Sequence, residues 1–338
     1  MQPDVQVTPH SLSRRRWNIS SITILVGVLI VLALGPFVLS QTAQFLTLTM
    51  VVYALFAIST NFLVGFSGVL SFGQAVFFGW GAYAAALLWT HGIPFWLGFV
   101  IAPFMAALVA GMVAIVSLRT STLYFALLTL GFSQLAYELC DAFYHFTGGE
   151  TGIPGINIPN AISGTFSNFE FVLIIAAVAT LLLYWVRRSS FGIALQAIKE
   201  NRTRAEAVGI HVYWHHVLAF VIAGFVSGLA GVLYVVYQQQ VTPGLLDWTT
   251  SGEPVLMAVL GGMGLYLGPA VGAVIYLFLE QVIGTFTTQW PLLVGAVTLV
   301  LVLVYPKGFS GGVIDLIKWI RRRSKGGRKI ADGKGRTA

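Results

Sequence analysis

Charge is what this chain has least of. Only 9% of its 338 residues are Asp, Glu, Lys or Arg, against about 25% in soluble domains. With 57% hydrophobic residues and a mean hydropathy of +0.83, the composition excludes a soluble domain on a single anchor and implies one integral membrane bundle. Cysteine is nearly absent too. The lone Cys140 excludes an internal disulfide, and no Cys/His group has zinc-site spacing; Cys140 reads as a small apolar residue at a helix end. There is no G-x-x-x-x-G-K-[ST] motif. The only Gly-Lys, Gly333-Lys334, is followed by Gly in a basic tail, and no soluble segment is large enough for a nucleotide-binding domain. The chain is therefore expected to be no enzyme and to bind no cofactor or metal itself; if ATP drives it, another subunit hydrolyses the ATP.

What is there is a series of apolar runs. Residues 1–20 are polar and carry Arg14-Arg15-Arg16. The run Ile22–Leu39 that follows exceeds a usual signal-peptide core and lacks a convincing small-residue cleavage site. It reads as a retained first span. Further spans are expected at Phe45–Val64, Leu70–Trp89, Phe95–Ser117, Thr122–Cys140, Phe169–Val186, Val217–Tyr237, Pro254–Tyr266, Pro269–Ile283 and Trp290–Val304. The fold class is thus all-α, with about ten transmembrane helices, some short or broken at glycines. The domains are a 1–20 tail, a 21–305 transmembrane region with a cytoplasmic loop at 187–216, and a basic 306–338 tail.

Charge decides the count. With the N-terminus inside, all 19 Lys and Arg fall in the inner segments 1–20, 118–121, 187–216 and 305–338. Seven of the 12 acids, among them Glu253 and Glu280, fall at or beyond the outer ends. This obeys the positive-inside rule. Reading Glu253–Gly284 as one span would put the ten basic residues after Tyr305 outside, so both termini are expected in the cytoplasm. Eight of nine Trp lie near span ends as an interfacial belt; Trp80 is the exception. No Lys, Arg, Asp, Glu or His is expected near the middle of a span, where a charge costs about 2.5–3.5 kcal/mol. That argues against a self-sufficient proton-coupled carrier. Sodium held by main-chain carbonyls at a broken helix stays open.

The stretch Asn61–Leu88 is apolar yet interrupted by Gly65, Gly68, Gly73, Gly79 and Gly81, with Asn61, Ser67, Ser71 and Gln74 among them. Two readings stand: close helix packing by small residues, or a helix break. A break at membrane depth must be buried in protein or line a wet cavity, and transporters place substrate sites at such breaks. Asn61, Ser71, Gln74 and Trp80 are the candidate pathway groups. Gly65, Gly68 and Gly73, with Gly261, Gly262, Gly264 and Gly268 in the later stretch, are the candidate hinges. Gly224, Gly228 and Gly231 read as close-packing positions.

In the loop 187–216, Ser190 is expected to cap a helix over Phe191–Val208 that stops at Gly209. Its apolar positions include Ala194, Ala197, Ile198, Ala205 and Val208, set against Lys199, Glu200, Arg202, Arg204 and Glu206. Docking into a partner's groove and lying on lipid headgroups are both consistent with that pattern. The outer loop 141–168 is turn-rich and carries no basic residue, which suits a solvated loop or a docking surface for an outer partner. The tail 318–338 holds nine basic residues; attraction to anionic lipid is favoured over nucleic-acid binding.

Four blocks resemble one family. Asn61–Leu88 (N-F-L-V-G-F-S-G-V-L-S-F-G-Q-A), Ser190–Ile210 with Leu218-Ala219-Phe220 and Ser227-Gly228-Leu229-Ala230-Gly231, Met257–Gly264 through Gly268-Pro269, and Pro306–Gly311 are similar to the permeases of branched-chain amino acid ABC importers, most of all to the second permease type. The resemblance implies a bacterial inner-membrane machine. It would comprise an extracytoplasmic solute-binding protein, two different permeases and two cytoplasmic ATPases that use ATP. It also implies that the loop 190–210 docks on an ATPase, through Lys199, Glu200, Ala205, Glu206 and Gly209. Of the general importer signature in that loop, which would fall on Thr203, Arg204 and Ala205, only Ala205 and Gly209 match. Relatives for urea, short amides or other amino acids share the motifs. A stand-alone secondary transporter is the more distant alternative.

Overall fold

A computed structural model describes residues 40–304 and 308–309. The expected first span Ile22–Leu39, the 1–20 segment and nearly all of the basic tail lie outside the described residues.

Eleven α-helices of six or more residues carry the described chain: α1 Gln41–Asn61, α2 Gln74–Thr90, α3 Phe95–Ser117, α4 Thr122–Ala142, α5 Thr165–Arg188, α6 Ser190–Glu200, α7 Arg202–Ala207, α8 Val212–Gln238, α9 Trp248–Gly261, α10 Gly268–Gly284 and α11 Trp290–Val304. A π-helical turn, Phe62–Ser67, extends α1. Five stretches are long and apolar enough to cross a membrane: Gln41–Ser67, Phe95–Ser117, Leu123–Ala142, Thr165–Arg188 and Val212–Gln238. Helices α2, α9, α10 and α11 have 14 to 17 residues. At 1.5 Å per residue they reach only about 21–26 Å, short of a bilayer core of about 30 Å.

The centre of the bundle is α8, which packs against α3, α2 and α1. Glycine permits the close approach. A Cβ on Gly231 would overlap the Phe78 carbonyl oxygen, and one on Gly81 would overlap the backbone of Gly228. Methyl-sized partners complete the seam, since Gly224 and Gly228 meet Ala110 and Ala106. Around this centre, Phe56, Phe77, Phe78, Phe169 and Phe220 are fully enclosed. The outer surface is apolar as well. Phe104, Leu108 and Met112 on α3 and Leu123, Leu127 and Leu135 on α4 are exposed. Helical faces of that kind suit lipid or another subunit, not water, and the chain is a multi-pass membrane protein.

The segments expected on one side of the membrane gather at one end. Residues 67–69, Leu118, Thr120 and the loop residues Ile198, Lys199, Arg202, Val212 and Tyr213 share one cavity. The segments expected on the other side also meet. β1 (Ile153–Pro154) pairs antiparallel with β2 (Gln240–Val241), with Ile153 opposite Val241. The Ile156 amide also donates to the Gln239 carbonyl at 3.0 Å.

Three expectations need correction. The helix expected from Pro254 starts at Trp248 and ends at Gly261. The Asp247 carboxylate accepts from the Thr249 amide at 2.7 Å, an N-cap that outweighs the proline as a start signal. As a result Glu253 lies in the second turn of α9, not before its start. The single helix expected over Phe191–Val208 is two. Asn201 is extended (φ −157°, ψ 103°) and its side chain caps α7 through the Arg204 amide at 2.9 Å. The residue before α6 is Ser189, and Ser190 is its first helical residue without a capping bond.

Candidate functional site

The glycine-rich stretch is a true helix break. The π-turn ends at Gly68, a left-handed residue with φ +76°. Its amide and that of Val69 both bond to the Leu63 carbonyl, and so does the Ser67 hydroxyl, at 2.7 Å. From Gly68 to Gly73 the chain is non-helical until α2 restarts. Its freed amides are met by side chains from elsewhere. Phe72 N–H donates to Thr129 Oγ1 at 3.1 Å, and Ala75 N–H to Ser251 Oγ at 2.9 Å. Gly73 N–H donates to Ser71 Oγ at 3.2 Å. Ser251 in turn contacts Ser133 (3.1 Å), whose hydroxyl donates to the Leu246 carbonyl at 2.8 Å. Ser71 and Gly73 are therefore buried in protein, while Gly68 and Val69 line the cavity, the two arrangements a membrane allows.

The second break sits against the first. α9 ends at Gly261, Gly262 takes φ +104°, and the chain turns until α10 starts at Gly268. Gly65 faces it: a Cβ there would lie 2.7 Å from the Met263 carbonyl oxygen and would overlap Asn61 Oδ1. Asn61 Nδ2 donates to the Leu265 carbonyl at 3.1 Å. Gly261 and Gly268 touch through their backbones, and a Cβ on Gly308 would lie 2.5 Å from the Gly262 Cα. Gly264 has open space around it. Of the expected hinge glycines, Gly65, Gly261, Gly262 and Gly268 lie at this crossing, while Gly68 abuts Lys199, Gly73 abuts Thr129 and Gly264 has no such neighbour among the described residues.

The candidate pathway groups divide. Asn61, Ser71 and Gln74 are fully enclosed. Gln74 Oε1 accepts from Ser227 (3.2 Å), Ser227 contacts Ser59 (2.9 Å), and Ser59 donates to the Ala223 carbonyl at 2.7 Å. This links α2, α8 and α1 through polar atoms in an apolar bundle. Gln74 Nε2 and Asn61 Oδ1 have no hydrogen-bond partner among the described residues. Trp80 is 40% exposed on the outside of the chain. The serines of this network were not singled out from sequence. The available signal was hydroxyls inside apolar helices, which bond across helices.

The loop 187–216 carries its own geometry. α7 ends in a Schellman turn: Ile210 N–H bonds to the Ala205 carbonyl (3.1 Å) and Gly209 N–H to that of Glu206 (3.0 Å). Gly209 has φ +88°, as a stop residue requires. Ala205 is buried, whereas Glu200, Arg204 and Glu206 point outward, Glu206 paired with Arg202 at 3.0 Å. Ile193 and Val208 are also exposed, at 63% and 77%. Lys199 turns to the first break: its Nζ donates to the Gly65 carbonyl at 2.5 Å. The Arg187 guanidinium lies 4.0 Å from the centre of the Phe66 ring and 5.6 Å from that of Tyr266.

The chain is 28% identical over 313 residues to the high-affinity branched-chain amino acid transport system permease protein LivM of Escherichia coli K12, covering 84% of this chain and 73% of that protein. It is 26% identical to the protein of the same name from Salmonella typhimurium, with the same coverage. It is 25% identical to a probable branched-chain amino acid transport permease protein LivM of Methanocaldococcus jannaschii, over 56% of each chain. No solved structure matches it. Residues 41–305 match the family model described as branched-chain amino acid transport system, permease component. That match takes in both helix breaks, the 187–216 loop and the α8 seam, and the chain belongs to the family of branched-chain amino acid transport permeases.

Proposed function

We propose that this chain is one of two permeases in a binding-protein-dependent ABC importer for branched-chain amino acids, in the inner membrane of a bacterium. It has ten spans and cytoplasmic termini. ATP is bound and hydrolysed by two partner ATPases, and the chain itself needs no cofactor. An extracytoplasmic protein delivers the solute. The observation that carries this reading is the contact of the two breaks with each other and with one loop, joined by Asn61 to Leu265 and by Lys199 to Gly65. A machine driven from one side needs such a link between the driven loop and the moving parts.

The loop offers a partner an exposed face of Ile193, Glu200, Arg204, Glu206 and Val208. Apolar residues ringed by charge suit a protein groove better than headgroups, where acids are disfavoured. The pathway role of Asn61, Ser71 and Gln74 belongs to a state in which the breaks open, since all three are enclosed here. Trp80 already faces outward, where a second permease would complete the path. Lipid covers the remaining apolar surface, and no nucleic-acid role is assigned to the basic tail.

Gentle isolation from the native membrane followed by mass spectrometry tests the assembly. A second, different permease with one or two ATPases is the expected result. A homo-oligomer without an ATPase, repeated in nanodiscs, overturns it.

A further inference from the structure

The cations Arg187 and Lys199, from opposite sides of the tight α5–α6 turn, hold consecutive residues of the first break. That turn is closely built, since a Cβ on Gly192 would overlap the Arg187 carbonyl oxygen. Buried Leu195 and Ile198 anchor α6 to the bundle. α6 and the end of α5 therefore move together. The Lys199 stem lies along Gly68, where a Cβ would meet its Cγ at 2.9 Å. Its ammonium reaches the Gly65 carbonyl. The carbonyl end of a helical turn carries partial negative charge and lacks partners within the helix, and a cation is favourable there. Leu63 is already bonded by Gly68, Val69 and Ser67, whereas the Gly65 carbonyl takes its donor from the loop. Arg187 sits over Phe66, the next residue, and reaches Tyr266 of the second break.

We propose that Lys199, with Arg187 beside it, is the transmission contact between the loop and the helix breaks: a positioning residue that holds the break in its π-turn form and pulls on it when the loop moves. This rests on the importer reading above. It also changes the role of Lys199, whose ammonium is spent on the break and not on an ATPase. The ATPase-facing charges are then Glu200, Arg204 and Glu206.

The test uses the intact complex, as isolated, in nanodiscs. Lys199→Met keeps the stem and removes the ammonium; Lys199→Arg keeps the charge. Loss of one charge-assisted hydrogen bond should raise amide exchange at Ser67–Val69 about 10-fold in Lys199→Met, with Lys199→Arg close to wild type. In the same samples, ATP hydrolysed per solute imported should rise at least about threefold, a small part of that loss. A merely structural role would lower the yield of complex and leave that ratio unchanged. Unchanged exchange at Ser67–Val69 overturns the contact. Raised exchange with an unchanged ratio overturns its role in transmission. If the wild-type complex imports without ATP, the importer reading itself fails, and the exchange measurement still decides whether Lys199 holds the break.

Discussion

Replacing Gly65 with Ala tests whether the two breaks are locked together. The new methyl would lie 2.7 Å from the Met263 carbonyl oxygen and on top of Asn61 Oδ1. Asn61 must then rotate and give up its bond to the Leu265 carbonyl, a loss of about 0.5–1.5 kcal/mol. Backbone at 263 must retreat as well, and overpacking of this kind costs about 1–3 kcal/mol. The sum, about 1.5–4.5 kcal/mol, is a factor of roughly 10 to 1,600 against the docked arrangement. Gly264 supplies the control in the same turn. It has open space and no left-handed backbone, so Gly264→Ala should change stability by less than about 0.5 kcal/mol or slightly stabilise. Unfolding of both variants in a denaturing-detergent titration gives the two values. Equal stability of Gly65→Ala and Gly264→Ala would refute the account of a locked crossing.

Other outcomes follow from the same geometry. Ser227→Ala removes the bridge between Gln74 and Ser59 and leaves buried polar atoms unpaired; it should destabilise the bundle by about 1–3 kcal/mol, read by thermal unfolding in detergent. Asn201→Ala removes the cap on α7, which should loosen that helix by about 0.5–2 kcal/mol, seen as faster exchange at Arg204 and Ala205 with the bundle unchanged. Gly209→Val forces a β-branched residue into φ +88°; that strain, about 1–3 kcal/mol, should abolish uptake while the two permeases still co-purify, and normal uptake would remove the loop from the coupling route.

Much of the helical layout was legible because membrane helices advertise themselves by length and apolarity. α3 occupies Phe95–Ser117, as the sequence predicts, since Pro94 starts it sharply. α9 was misplaced because Pro254 reads as a helix start, although Asp247 and Thr249 carried the stronger signal six or so residues earlier. The break at Gly65–Gly73 was visible as glycine density; its partner contacts were not, because Thr129 and Ser251 come from helices far along the chain. Periodicity placed Lys199 on the charged face of an amphipathic helix. Only tertiary packing shows its stem lying along Gly68.

The most direct test of the central claim is uptake by the reconstituted complex. Proteoliposomes holding both permeases and the ATPases, with the binding protein outside, should accumulate radiolabelled leucine only when ATP is enclosed, and unlabelled urea or short amides should not compete. Accumulation driven by a sodium gradient without ATP would contradict the account.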